Sequence, residues 1–437
     1  MSSISSVHAR RIWDSRGQPT IEAEITLDNG IIGRGIAPAG ASRGKREAID
    51  LRDGGTSLNG KDVHKAITGI NTVIANRLTG MDISDQQAID HALLELDPSP
   101  MKTGLGGNAL VACSLAAVQT AAIDNSKPLW RHLADLYDCT PGLPLAEIQI
   151  FGGGAHAAGR VDIQDFMVMV PGAADFDQMM EITSEIYFAA GDIMASRGKR
   201  YGIADEGGWW PDFASNEDAL ETLTKAIEKA GEKPGENVVI SLDVAASEFR
   251  QNSGYYLALE DRFLSSEQMI DLIASWIDSY PIISIEDPLA EDDTDGMIAF
   301  TKAFGNRIQI IGDDYLVTNK EIVAQAISDH ACNAVLLKVN QIGTLSEAVE
   351  TFKLARSAGW QVIVSARSGE SEDTTISHLA TGLGAGQLKV GSFQRSERMV
   401  KWNECLRIQD QLGRQNYAGG APLSHTWWHK QGSVRKG

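Results

Sequence analysis

Three acidic residues, Asp243, Glu286 and Asp313, each close a short apolar run, in NVVISLD, YPIISIE and IQIIGD. Lys338 and Lys389 do the same in AVLLK and GQLK, and QVIVSAR ends on Arg367 beside Ser368. Carboxylates crowded into one space of reduced dielectric repel one another strongly. A hard divalent cation removes that conflict, and an all-oxygen donor set favours Mg2+ over zinc. Any one of these acids would serve equally as a helix cap or a lysine partner; three together favour the metal. Lys338 follows an apolar run, so burial near another cation is expected to lower its pKa and make it a base. The alternative is a plain salt bridge to Asp313 or Glu286. A metal and a lysine base suit the removal of a weakly acidic proton beside a carboxylate, because the resulting dianionic enolate needs concentrated positive charge. The Arg367 guanidinium, the Ser368 hydroxyl and the SG turn match a phosphate or phosphonate group, with an inter-loop salt bridge as the other reading.

For these side chains to meet, the runs that carry them must share one end. From about residue 141 short apolar runs alternate with amphipathic stretches such as SSEQMIDLIASWIDS, TNKEIVAQAISDH and LSEAVETFKLARSAG. That is the rhythm of an α/β fold, a (β/α)8-type TIM barrel, whose C-terminal strand ends gather at one face. Residues 18 to 36, QPTIEAEITLDNGIIGRGI, alternate about a DNG turn and predict an antiparallel hairpin. DQQAIDHALLELD and NALVACSLAAVQTAAID predict helices after it. The expected organisation is a smaller α+β capping domain over 1–140, a linker in TPGLPLAE, and a barrel with a C-terminal tail over 141–437.

The chain has 437 residues, 43% hydrophobic and 22% charged, enough for two domains with a substantial core. Its net charge of -19 opposes a nucleic-acid partner, although a local cationic pocket still attracts small anions. Cys113, Cys139, Cys332 and Cys405 are scattered without CxxC spacing, which points to reduced thiols and a cytoplasmic protein. No run approaches the roughly 20 apolar residues of a membrane span, and the N-terminus lacks a leader-type apolar core.

SLDVAASEF, SIEDP, IGDD with VTN, LLKVNQIG, SARSGESED and QLKVG with RSER, in this order, resemble the enolases. DSRGQPTIEAE, GAS at 40–42 and EAIDLRDG extend the resemblance over nearly the whole chain. It implies a cap over a barrel, one or two Mg2+ ions, and chemistry on 2-phosphoglycerate or phosphoenolpyruvate; lysine or histidine bases with magnesium are known of this superfamily. By motif, Asp243, Glu286 and Asp313 would hold the first metal, and Ser42 would help with a second. Lys338 would be the base, Glu206 in DEGG the acid at the leaving group, Lys389 a partner of the substrate carboxylate, and Arg367 with Ser368 the phosphate grip. His156 in GGGAHAAG and Gln164 fall in matching places, and homodimers are usual in the family.

Four departures lie at or near the site. Alanine stands at 366 where enolases carry histidine, and Asp165 is one methylene shorter than the usual Glu. The loop before DEGG is short and runs on into Trp209 and Trp210. The lid reads GASRGKRE, bringing Arg43, Lys45 and Arg46. On this reading the enzyme keeps enolate formation and handles a different leaving or arriving group. Ala366 would make room, and Arg43 with its neighbours would meet a second anion. The expected function is a specialised role in phosphonate or phosphinate natural-product biosynthesis, like carboxyphosphonoenolpyruvate synthase. The alternatives are an ordinary enolase and a non-catalytic binding protein on the same fold. Trp427 and Trp428, in the tail HTWWHKQGSVRKG, are expected to dock on a neighbouring surface rather than to touch substrate.

Overall fold

The structure, a computed structural model, describes residues 2–429. Strands β1 (Ile4–Trp13), β2 (Pro19–Leu27) and β3 (Ile32–Ile36) form an antiparallel sheet. Alternation in β2 buries Ile21, Ala23, Ile25 and Leu27, and the helix Gly107–Asp124 covers the sheet. The approach is close: a Cβ at Gly35 would stand 2.3 Å from the Ala116 nitrogen, so the GRG of β3 admits the helix backbone. The same helix also leans on the barrel, where its Ser114 hydroxyl accepts the Leu345 amide at 2.9 Å.

The barrel strands are β4 (Leu145–Gly152), β5 (Asp165–Met169), β6 (Val239–Asp243), β10 (Ile282–Glu286), β11 (Gln309–Gly312), β12 (Ala334–Leu337), β13 (Gln361–Ser365) and β14 (Gly386–Ser392). They close in that order, with β14 pairing β4. Between β6 and β10 a small sheet forms from β7 (Arg250–Gln251), β8 (Gly254–Leu257) and β9 (Arg262–Leu264). Some helix starts are capped by side chains; Ser265, for example, makes a reciprocal capping box with Gln268.

The six later strands and their helices lie where the apolar rhythm puts them, but β4 and β5 do not follow it. Leu145 to Glu147, read as the end of a linker, open β4. β5 runs antiparallel to both β4 and β6, so the barrel is not wholly parallel. The reversal carries the 153–164 loop across the mouth and brings Asp165 opposite Asp243.

Inside the barrel the side chains lie in layers. Leu145, Met169, Val239 and Ile283 pack with Leu423 at the N-terminal end. Trp427 and Trp428 pack against that cluster, donating their ring N–H to Ile282 O at 2.8 Å and Glu236 O at 2.7 Å. The surface they dock on is thus the barrel's own floor; residues 430–437 of the tail lie outside those described. Beyond that floor one side of the barrel is apolar, with Ile311, Ala334, Leu336 and Ile363, and the other is polar. Fully buried Glu147 accepts from Ser241 Oγ at 3.1 Å and Gln387 Nε2 at 3.0 Å.

Burial pushes the Glu147 carboxyl from 4.5 up to about 7 against the pull of Lys389. The native chain therefore keeps this proton between about pH 4.5 and 7, where the unfolded chain has lost it, and Glu147 makes stability fall as pH rises through that window. Glu147→Gln keeps the shape without the charge. Its melting temperature relative to wild type is expected to climb across that window and level off above it. A pH-independent difference in thermal unfolding would contradict this.

Candidate active site

At the barrel mouth a cavity of about 30 Å³ is lined by Ser42, His156, Gln164, Asp165, Glu206, Asp243, Asp313, Lys338, Ala366, Arg367, Ser368 and Lys389, among others. Residues from the cap, from two loops and from six strands or strand ends thus reach one space, with Glu286 lying behind Lys389 rather than in the lining. Asp243 and Glu286 are the last residues of β6 and β10, while Asp313 and Lys338 directly follow β11 and β12. Lys389 differs from the expectation of a strand end. It lies inside β14, in register with Ser365 and Glu147.

Two lysines divide the acids. Lys389 Nζ donates to Asp243 at 2.8 Å and Glu286 at 2.7 Å, with Asp165 at 3.5 Å. Lys338 Nζ donates to Asp313 at 2.5 Å, whose other oxygen accepts from Gln341 at 2.8 Å. Burial and the charge of Asp243 push Glu286 well up, and the ring of carboxylates raises Lys389 against its own burial. Burial alone would lower Lys338, but the Asp313 carboxylate outweighs it and raises the pKa. The expected lowering of Lys338 is thus corrected: its nearest charge is a carboxylate, and in this state it is an ammonium.

The backbone around this pair is strained. Asp287, Val317 and Thr318 all have positive φ, 42°, 46° and 55°, a region costly for β-branched residues. The turn lets Thr318 Oγ1 accept the Lys338 amide at 2.9 Å and donate to Gln341 at 2.6 Å. The carboxylate of Asp287 accepts the amides of Asp313 and Asp314 at 3.0 and 2.7 Å.

On the opposite wall His156 Nδ1 donates to Asp165 at 3.0 Å, and its Nε2 lies 3.6 Å from Glu206 and 3.4 Å from Ser368 Oγ. Burial works against a charged ring, but Glu206 and Asp165 overcome it and push His156 up to about 9. The shorter Asp165 is secured by Gln149 of β4, which donates to it and accepts the Gly208 amide at 2.9 Å. Gln164 Nε2 donates to Asp243 at 3.0 Å.

The lid lies against the mouth. Arg367 donates to both oxygens of Glu47, at 2.9 and 3.3 Å, and to Ser42 O at 3.1 Å. Ser368 Oγ accepts the Ala41 amide at 3.0 Å, and Ser42 Oγ donates to Glu248 at 2.9 Å. The lid cations do not line the cavity. Arg43 turns to Ala48 O and toward Glu47 and Asp50, Lys45 meets Glu291, and Arg46 donates to Tyr315 O. The expectation that Arg43 and its neighbours meet a second anion is corrected, because lid and barrel groups already engage them. Trp209 stacks on Tyr187 at 4.8 Å and donates to its carbonyl, so its role is packing.

The donor set suits a hard cation. Asp243 and Asp313 line the cavity, each paired with a lysine, and Glu286 Oε1 is buried beside them without a hydrogen-bond partner. Among the described residues the groups with ligand atoms already within 4.8 Å of one another are two others, Asp287 with Asp313 and Asp314, and His156 with Asp165 and Glu206. Asp287 there spends both oxygens on backbone amides. Sequence reasoning missed Glu47, Gln149, Asp287, Gln341 and Arg398. The signals for Glu47, Asp287, Gln341 and Arg398 lay inside motifs already quoted, EAIDLRDG, SIEDP, LLKVNQIG and RSER.

Comparison with known proteins agrees with this architecture. The family model "Enolase, N-terminal domain" matches residues 4–133, and "Enolase, C-terminal TIM barrel domain" matches residues 140–425. Enolase 1 of Desulfitobacterium hafniense (strain Y51) is 48% identical over 413 residues, 94% of this chain and 94% of that protein. This similarity overturns the expectation of a specialised phosphonate-pathway enzyme, since so extensive a match to an enolase leaves Ala366 and Asp165 as local variations. From cap to barrel, the chain belongs to the enolase family.

Proposed function

We propose that the protein is an ordinary Mg2+-dependent enolase that interconverts 2-phosphoglycerate and phosphoenolpyruvate. The observation that carries this reading is the space at the barrel mouth that Lys338, Glu206, Asp243, Asp313 and the Arg367–Ser368 pair line together. The 48% identity to an enolase over 94% of both chains supports it.

Asp243, Glu286 and Asp313 would hold the first magnesium, and Ser42 on the lid would assist a second. Bound there, magnesium supplies the positive charge that makes the C2 proton removable. Arg367 and Ser368 grip the phosphate, with Glu47 and Ser42 O yielding some of the guanidinium's donors. Lys389 and Gln164 face the substrate carboxylate. Lys338 exchanges the proton at C2. As an ammonium it is ready to deliver that proton to phosphoenolpyruvate; in the dehydrating direction it must start neutral, which requires the charge of Asp313 to be engaged elsewhere. Glu206 protonates the departing C3 hydroxyl.

Ala366 need not disable this chemistry. His156, pushed up to about 9, is an imidazolium at neutral pH and borders Glu206 and Ser368. It places a charged donor on the leaving-group side, where residue 366 offers none. We also read the chain as dividing near residue 140 into cap and barrel, and as forming a homo-oligomer, on the family resemblance. Among the described residues no helix is long and apolar enough to cross a membrane.

Purified protein with Mg2+ is expected to form phosphoenolpyruvate from 2-phosphoglycerate at about 10 per second or faster; a folded, magnesium-loaded enzyme orders of magnitude slower would defeat the reading. Lys338→Ala should abolish both turnover and C2 proton exchange in deuterated water, and exchange at the wild-type rate would move the base elsewhere. Asp313→Asn should lose the Mg2+-dependent rise in melting temperature, a readout independent of turnover, and an unchanged magnesium titration would remove it from the ligand set. His156→Gln is expected to lower kcat by about 100-fold; a smaller loss than that caused by Ala366→Gly would leave the imidazolium without a role.

A further inference from the structure

The loop from Arg367 to Ser371, which carries the proposed anion grip, is held from three sides. The cap's hairpin turn reaches it through the Ser15 amide, which donates to Glu370 O at 2.8 Å. The lid pairs with it at Gly369, whose amide donates to Ala39 O at 2.8 Å and whose carbonyl accepts the Ala39 amide at 3.0 Å. The third side is the first turn of the helix Ser396–Leu412, directly after β14.

Two cations on that helix, three residues apart and thus on one face, are wholly buried: Arg398 is 0% and Lys401 1% exposed. Arg398 donates to Arg367 O at 2.6 Å, to Val390 O at 2.8 Å and to Ser368 O. Lys401 donates to Ser371 O at 3.0 Å and lies 3.1 Å from the Glu370 carboxylate, whose other oxygen accepts the Arg367 amide at 2.9 Å. The backbone carbonyls on both residues of the grip are thereby fixed on the helix side. Arg398 also lies 3.9 Å from Glu206 Oε1. The space between them is tight, since a Cβ at Gly391 would stand 3.0 Å from Arg398 Cδ and 3.1 Å from Glu206 Cβ. Lys401 has no contact with Glu206.

We propose that Arg398 is a positioning residue that sets the phosphate grip and the leaving-group acid in one frame, with Lys401 as a second brace acting on the grip alone. Five guanidinium donors in a fixed plane suit this task, because one rigid group spans carbonyls just beyond β13 and inside β14 and lies beside a carboxylate from a third segment. A lysine at 398 presents a single nitrogen and reaches only part of that set. The proposal rests on the reading of Arg367 and Ser368 as an anion grip.

The test uses full-length, magnesium-loaded enzyme, with inorganic phosphate binding followed by calorimetry and 2-phosphoglycerate turnover measured separately. Arg398→Lys is expected to weaken phosphate binding and raise KM by about tenfold, in line with lost hydrogen bonds to a charged group, and to lower kcat as well. Lys401→Met should weaken phosphate binding while leaving kcat within about threefold of wild type, since Lys401 reaches the grip's loop through Glu370 and Ser371 and makes no ion pair with Glu206. Phosphate affinity within twofold of wild type in folded Arg398→Lys overturns the proposal, as does an equal fall of kcat in both variants. If Arg398→Lys does not fold, Lys401→Met and Glu370→Gln keep the guanidinium in place and carry the phosphate criterion: affinity within twofold of wild type in both overturns the proposal. A wild type that binds phosphate without dehydrating 2-phosphoglycerate counts against the functional reading alone. A wild type that binds no phosphate removes the grip, and the brace with it.

Discussion

Charge balance inside a dry barrel mouth governs the arrangement of this protein. Asp165, Asp243, Glu286 and Asp313 are all nearly inaccessible to water, and Lys338, Lys389 and His156 pair with them directly while the Arg367 charge also acts on Asp313. Removing charges from water costs several kcal/mol each unless partners are well placed, so the site is held as one interdependent set. This explains why strained turns at Val317 and Thr318 persist: they aim Gln341 and the Lys338 backbone, and relaxing them would leave Asp313 partly unsatisfied. It also explains why Asp165 tolerates its shorter side chain. Gln149 reaches it from the neighbouring strand, and the negative charge keeps its donors.

The lid extends the same balance outward. Arg367 is paired with Glu47 rather than left as an open cation, and Gly44 fits against Val317, where a Cβ would stand 2.6 Å from Cγ1. The lid is therefore anchored beside the same turn that aims Lys338. An incoming anion that competes for Arg367 acts at once on the lid's own carboxylate, so substrate recognition and lid position are coupled through one guanidinium.

Much of this was legible in the sequence, because parallel strands advertise themselves as apolar runs whose polar ends must converge. β4 and β5 were not, for a physical reason: Glu147, Gln149 and Asp165 are polar residues that face inward, and a polar lumen breaks the pattern by which buried strands are recognised. The Lys338 charge state was misread because it depends on the register that brings Asp313 to 2.5 Å, which no local pattern encodes. The lid cations were assigned to a ligand for a similar reason. Glu291, Tyr315 O and Ala48 O, which engage them, are fixed by the fold. Ala366 invited a specialised function because the sequence displays the missing imidazole but not the charge that the buried acids impose on His156.

The barrel's seam joins β4 to β14, and its floor is covered by Trp427 and Trp428. A chain emerging from the ribosome in order thus exposes β4 long before the strand that completes its pairing, and the aromatic floor arrives later still. The cap, whose sheet and covering helix end by residue 124, can form while the barrel is still an open, edge-bearing sheet. Trp427 and Trp428 thus seal the barrel from below only after every strand they cover has been made, so a chain cut before them keeps all eight strands and lacks their floor.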